Sequence, residues 1–233
     1  MIEKLPSTGA LANREPYGCD TSGMVIVHRM IRYLFTDAPR LVRGVRAGDT
    51  KRAHIVGAHV TEIARGLHNH HTAEDDLLWD LLETRARACA LHVEQMRTQH
   101  AAVGALLTEL DRPLAGWMRT ADPADAETVA GILDAIRAAL FTHLGDEEYL
   151  ILPTAATVMT QREWDALGER GRASVPKSRL MTELGFIVQP FTPEDRKVWM
   201  RTNLPGFVRA LYHLFGRRQF VKHYRAIYGV APE

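Results

Sequence analysis

From Met24 onward, apolar residues recur at helical spacing. Met24, Val27, Ile31, Leu34 and Phe35 share one face of a first helix. Asp37 followed by Pro39 predicts a kink or restart within it. Gly48-Asp49-Thr50 supplies a stop and a new N-cap. A long second helix follows, with Val56, Val60, Ile63, Leu67, Leu77 and Leu81 on its inner seam. Val93, Met96, Val103, Leu107 and Leu110 mark a third helix, whose end is weakened by Pro113 and Gly116. After Asp122-Pro123, a fourth carries Val129, Ile132, Ile136, Leu140 and Leu150 and closes at Pro153. No segment shows the period of two that a half-buried strand requires. The pattern predicts an all-α fold, an up-down four-helix bundle with a C-terminal helical extension.

Beyond Pro153 the helical segments are shorter and punctuated by Pro and Gly, at about 163–172, 177–184, 193–199, 207–215 and 218–228. Residues 1–22 mix Pro, Gly, Ser and Asn without periodicity and read as a tail. The expected organisation is therefore an N-terminal tail (1–22), a bundle (23–157) and an extension (158–233).

Composition narrows the class. Hydrophobic residues at 46% and charged residues at 24% are those of a globular protein with a real core. A formal net charge of +1 argues against a nucleic-acid or anionic-membrane binder. That figure conceals an asymmetry. Residues 170–233 hold 12 Lys and Arg against 4 Asp and Glu, whereas residues 1–169 hold 17 against 24. The basic aromatic stretch 207–228 is thus expected to dock on the acidic bundle, with a homodimer through this region or an acidic partner as the alternatives. Cys19 and Cys89 are too few for a disulfide framework or a cysteine-rich zinc module. No apolar run approaches the roughly 18 residues of a membrane span, and residues 1–6 lead into no apolar signal segment. The expected location is the cytoplasm.

Eleven histidines are the unusual feature. His28 is in phase with Met24, Ile31 and Phe35, and His70 and Glu74 with Ile63, Leu67, Leu77 and Leu81. His100 lies between Met96 and Val103, while His143 and Glu147 lie between Leu140 and Leu150. Each bundle helix thus places one imidazole on its buried seam, and two add a carboxylate one turn later. Residues at i and i+4 stand roughly 5–6 Å apart, close enough to share a metal centre. A carboxylate on an apolar seam is costly unless a cation relieves it. His71 and Asp75 form a second i,i+4 pair, in phase with Leu67, Leu78 and Leu82. There is no HExxH, GxSxG, Walker loop or CxxC motif.

The ordered pattern His28, His70-His71-Thr72-Ala73-Glu74, His100, His143-Leu144-Gly145-Asp146-Glu147 over about residues 23–155 resembles the hemerythrin-like (HHE cation-binding) family. The resemblance implies a site of two non-haem Fe ions bridged by Glu74 and Glu147. His28 and His70 would hold one iron, and His100 and His143 the other. It favours His70/Glu74 over His71/Asp75 and leaves His71 as a supporting or channel residue. Oxygen-carrying members have a further histidine one turn before the His100 position; here Met96 stands there, opening one coordination position. Asp75, Asp146 and Glu148 are candidates to orient imidazoles or are simply solvated. His54, His59, His68 and His92 are expected at the surface or in hydrogen bonds, and His213 and His223 lie outside the motif. The expected ligand is O2, NO or peroxide, with small-molecule redox activity in oxidative or nitrosative stress. A non-catalytic iron store or diatomic-gas sensor signalling through the C-terminal helices is the alternative.

Overall fold

The computed structural model describes residues 16–232, so residues 1–15 of the expected tail lie outside it. The helices are α1 (Ser22–Arg43), α2 (Thr50–Leu77), α3 (Trp79–Arg85), α4 (Ala90–Thr120), α5 (Pro123–Asp146), α6 (Leu152–Val158), α7 (Gln161–Ser174), α8 (Leu180–Val188), α9 (Pro193–Asn203), α10 (Gly206–Leu211) and α11 (Arg217–Tyr228). Two π turns, Glu147–Ile151 and Tyr212–Gly216, join α5 to α6 and α10 to α11. Among the described residues there is no strand, only an isolated bridge between Gly18 and Thr160. The protein is all-α. Helices α1, α2, α4 and α5 pack as an up-down bundle, α1 and α4 each lying against α2 and α5.

The local signals at the turns are physical ones. The Asp49 carboxylate accepts a hydrogen bond from the Arg52 amide at 3.0 Å, capping α2. Asp122 caps α5 through the amides of Ala124 and Asp125 at 2.8 and 3.3 Å, with Pro123 in the first turn, where its missing N–H costs nothing.

Three boundaries differ from the sequence expectation. Pro39 neither ends nor restarts α1, which runs on to Arg43. An interior proline costs roughly 3 kcal/mol, but Leu34, Phe35, Leu41 and Val42 around it are buried, at about 1.5–3 kcal/mol each. Apolar burial wins. The second helix breaks at Leu78, and the seam shifts by one residue. Leu78, Trp79 and Leu82 are buried, while the expected Leu77 and Leu81 are only partly so. The Trp79 indole, fully buried and donating to Asp75 Oδ1 at 2.7 Å, sets that new register. The fourth helix does not close at Pro153, which sits in the first turn of α6 and lets the chain continue to Val158. Ile151, four residues after Glu147, lies in the core, whereas the expected Leu150 is only partly buried. Pro113 lies inside an unbroken α4 whose seam continues through Leu114 and Trp117.

The extension packs on both ends of the bundle. Trp164 and Leu167 of α7 join the apolar cluster of Leu78, Trp79 and Ile151. Phe186, Phe220, Tyr224 and Ile227 of α8 and α11 join the larger cluster around Phe35, Val60 and Leu133. Polar ties reinforce this second contact. Tyr33 and Tyr224 share a hydrogen bond at 2.8 Å, Arg52 donates to the carbonyls of Ala226 and Ile227, and Arg179 pairs with Glu62. Helices α8 and α11 cross at Gly185, where a Cβ would fall 2.2 Å from the Phe220 ring. The contact is thus mostly aromatic and apolar, with charge complementarity at its edge.

His59 lies in that contact, stacked on Phe186 with ring centroids 5.8 Å apart, its Nε2 without a hydrogen-bond partner. Burial, aided by His223 and Arg179, pushes its pKa down to about 3. An unfolded histidine titrates near 6.5, so the unfolded chain takes up the proton first. The stability that depends on neutral His59 is intact above about pH 6.5 and is lost as pH falls toward 3. His59→Phe is expected to remove that loss. Urea unfolding followed by circular dichroism at pH 7 and pH 5 should show the variant losing less stability than wild type, by at most about 2 kcal/mol.

Candidate metal centre

The bundle core is not continuous. One apolar cluster contains Ile31, Leu67, Val103, Leu140 and Leu144, and another contains Met24, Leu78, Trp79, Met96 and Ile151. On every bundle helix the passage from one cluster to the other crosses polar residues. These are His28 on α1, His70, His71 and Glu74 on α2, His100 on α4, and His143 on α5 with Glu147 opening the π turn. The polar layer is thus held at one height by apolar residues above and below it. The π turn, a feature often found at functional sites, places both Glu147 and Ile151 inward.

All six residues expected as ligands meet in this layer. His28 Nε2 lies 3.3 Å from Glu147 Oε2, and His70 Nε2 lies 3.2 Å from Glu74 Oε1. His100 Nε2 is 3.5 Å from Glu74 Oε2, and His143 Nε2 is 3.8 Å from Glu147 Oε2. The two last imidazoles approach each other at 3.2 Å through their Nε2 atoms. Every one of these histidines therefore turns Nε2 toward the carboxylates. Both carboxylates are essentially without exposure, and His70, with a side chain 13% exposed, is the least covered of the six.

The outward-facing nitrogens are held as well. His28 Nδ1 meets Glu148 Oε1 at 2.9 Å, and Arg32 donates to the same oxygen. His100 Nδ1 meets Asp75 Oδ1 at 2.7 Å. His143 Nδ1 meets Gln99 Oε1 at 3.2 Å, and Gln99 in turn donates to Asp146 at 2.7 Å. Asp75 and Glu148 thus orient imidazoles directly, while Asp146 acts one residue removed. Gln99 was invisible in the sequence, because its contact depends on the rotation of α4 against α5. Partners of this kind fix the ring and leave Nε2 free to bind a cation.

The electrostatics fit that reading. Nε2 of His28, His70 and His71, and both oxygens of Glu74 and of Glu147, are buried without a hydrogen-bond partner. Each orphaned polar atom costs roughly 1–3 kcal/mol, more for a charged one. Burial and the neighbouring Glu147 charge push the Glu74 carboxyl well above its usual range. Burial also opposes the Glu147 charge, but His28 and its neighbours outweigh it and hold that pKa at about 2. Burial holds His70 near 3 and His143 near 4, and keeps His71 and His100 low, so these rings are neutral donors. For His28, burial is outweighed by Glu147 and Glu148, which raise its pKa. A bound cation would replace protons and partners at once. Imidazole and carboxylate donors suit Fe, Mn or Zn.

The donor atoms form two adjoining groupings, each spanning no more than 4.8 Å: His28, His70, Glu74 and Glu147, and His71, His100 and His143. His71, expected only in a supporting place, lies in the second. Met96 is fully buried in the apolar cluster beside Trp79 and Val93. A third grouping, His59, Glu62 and His223, differs in kind. There Arg179 already pairs with Glu62 and approaches His223 Nε2 at 3.3 Å, so the protein supplies its own cation.

A family model described as the hemerythrin HHE cation binding domain matches residues 22–155. Comparison with the curated proteins and with the solved structures finds no significant match. Two outcomes are expected of the site as built. Asp75→Ala should weaken Zn2+ binding about 10–100-fold by releasing the His100 ring, read by competition with a chromophoric chelator; unchanged affinity would show that Asp75 orients nothing. Metal-free Glu74→Gln should be at least as resistant to urea as metal-free wild type, since it removes a buried carboxyl from beside Glu147, while losing most of the stabilisation that added Zn2+ confers.

Proposed function

The chain belongs to the hemerythrin HHE cation-binding domain family, and we propose that its bundle holds two non-haem iron ions, bridged by Glu74 and Glu147, and presents them to O2, NO or peroxide. The observation that carries this reading is the single layer in which four imidazole Nε2 atoms face two buried carboxylates whose oxygens have no other partner. His28 and His70 would hold one iron, and His100 and His143 the other. Iron bound there supplies electrons and Lewis acidity to a small ligand.

The chain's own residues do the rest. Glu148, Asp75 and Gln99 keep the rings of His28, His100 and His143 turned inward. The apolar clusters on either side exclude bulk water. Met96 contributes an apolar wall rather than a nitrogen donor. The burial of five of the six donors, with His70 only 13% exposed, favours ligands of two to a few atoms over larger substrates, which supports peroxide or NO turnover in stress defence. We place this activity in the cytoplasm, where the unpaired Cys19 and Cys89 stay reduced. One observation favours a second reading, a diatomic-gas sensor. Helix α2, which carries His70 and Glu74, also bears the Arg52, His59 and Glu62 contacts to the C-terminal helices.

Anaerobic reconstitution with ferrous iron should give two irons per chain, with loss on His70→Ala or His143→Ala. Fewer than two irons in wild type, or no loss in those variants, would overturn the reading. The diferrous protein is then mixed with peroxide and with NO. Repeated turnovers support the redox activity, whereas a stoichiometric adduct that alters protease sensitivity in residues 158–233 supports the sensor.

A further inference from the structure

We infer that His71 gives the second metal, the one held by His100 and His143, a third imidazole, supplying from α2 the donor that Met96 does not provide on α4. This rests on the two-metal reading above and concerns how the donors are divided within it.

His71 is 5% exposed. Among the described residues its buried Nε2 has no hydrogen-bond partner, and none of them engages its ring as Glu148, Asp75 and Gln99 engage the others. Its ring stacks on His100 with centroids 4.0 Å apart and planes at 12°, and meets His143 edge-on at 4.9 Å. One ligand atom from each of the three lies within 4.8 Å of the others, as close a grouping as that of His28, His70, Glu74 and Glu147. A packing role alone would leave a buried imidazole nitrogen unsatisfied, whereas donation to the metal shared with His100 and His143 satisfies it.

The geometry of α2 explains how adjacent residues serve different metals. Successive helical residues are turned about 100° apart, and the His70 and His71 rings sit 5.8 Å from each other. Glu74, one turn on, points between them toward both groupings, 3.2 Å from His70 Nε2 and 3.5 Å from His100 Nε2. Helix α2 thus straddles the pair, one imidazole to each side and a carboxylate in the middle. The second metal then has three imidazoles and the first only two. His71 would thus take, from another helix, the coordination position that Met96 leaves unfilled.

The test is anaerobic ferrous titration of full-length metal-free wild type, His71→Ala and His71→Phe, followed by calorimetry. Phenylalanine keeps the ring that stacks on His100 but offers no donor. Both variants should bind the first iron as wild type does and the second at least about tenfold more weakly, and millimolar imidazole should restore the second site in His71→Ala. Retention of the first iron, with wild-type helicity, shows that the bundle has folded. If wild type binds two irons and His71→Phe binds both with wild-type affinity, His71 is a packing residue and the inference fails alone. If imidazole does not restore His71→Ala, it fails likewise. If wild type itself binds fewer than two irons, the two-metal reading fails first.

Discussion

Two buried carboxylates, Glu74 and Glu147, constrain everything around them. They sit between apolar clusters that exclude water, and among the described residues none is hydrogen-bonded to their oxygens, His28 standing 3.3 Å from Glu147 as an ion-pair partner. Burying an ion without a partner costs more than most single packing interactions return. The metal-free protein eases this through proton affinity, which is shifted toward the neutral form at Glu74 and toward the charged form at His28. Cations do it better, because they also satisfy the neutral imidazoles. Metal affinity and fold stability are for that reason one quantity seen from two sides.

The requirement reaches outward from the carboxylates in steps. Imidazoles must present Nε2, so Nδ1 needs an acceptor, and Glu148, Asp75 and Gln99 supply it. Asp75 also accepts from the Trp79 indole, tying ring orientation to the apolar cluster below. Glu148 is shared with Arg32, and Gln99 with Asp146. The layer is therefore as rigid as the helices that carry it. The extension adds to that rigidity from outside, with aromatic residues of α8 and α11 built into the larger cluster.

Much of this was legible in the chain. The seams of α1 and α4 follow from period alone, and the meeting of His28, His100, His143 and Glu147 in one layer follows from their phase on α1, α4 and α5. What the sequence concealed were events at the ends of the periods. A buried tryptophan moved the α2 seam from Leu77 and Leu81 to Leu78 and Leu82. Pro39 reads as a kink or restart and Pro113 as a weakened helix end, yet with buried apolar residues around them both helices continue past these prolines. His71 was the harder case, because i,i+4 spacing lets either His70 or His71 claim the seam. Only the wide angle between them, in a layer with donors on both sides, gives each a place. Gln99 left no trace, since a neutral amide with no periodic partner looks like any surface residue.

The π turn at Glu147–Ile151 acts as a phase shifter. Ile151, four residues after Glu147, shares its inward face, and the extra residue in the turn lets Leu152 follow it into the core. The same piece of backbone thus keys the metal layer to the cluster beneath it, and beyond it to the Val158 carbonyl held by Arg85 at 3.0 Å. Among related sequences, insertions and deletions should be freely tolerated in the loops between helices but purged from these five residues, where losing a single one would turn every side chain after Glu147 by about 100°.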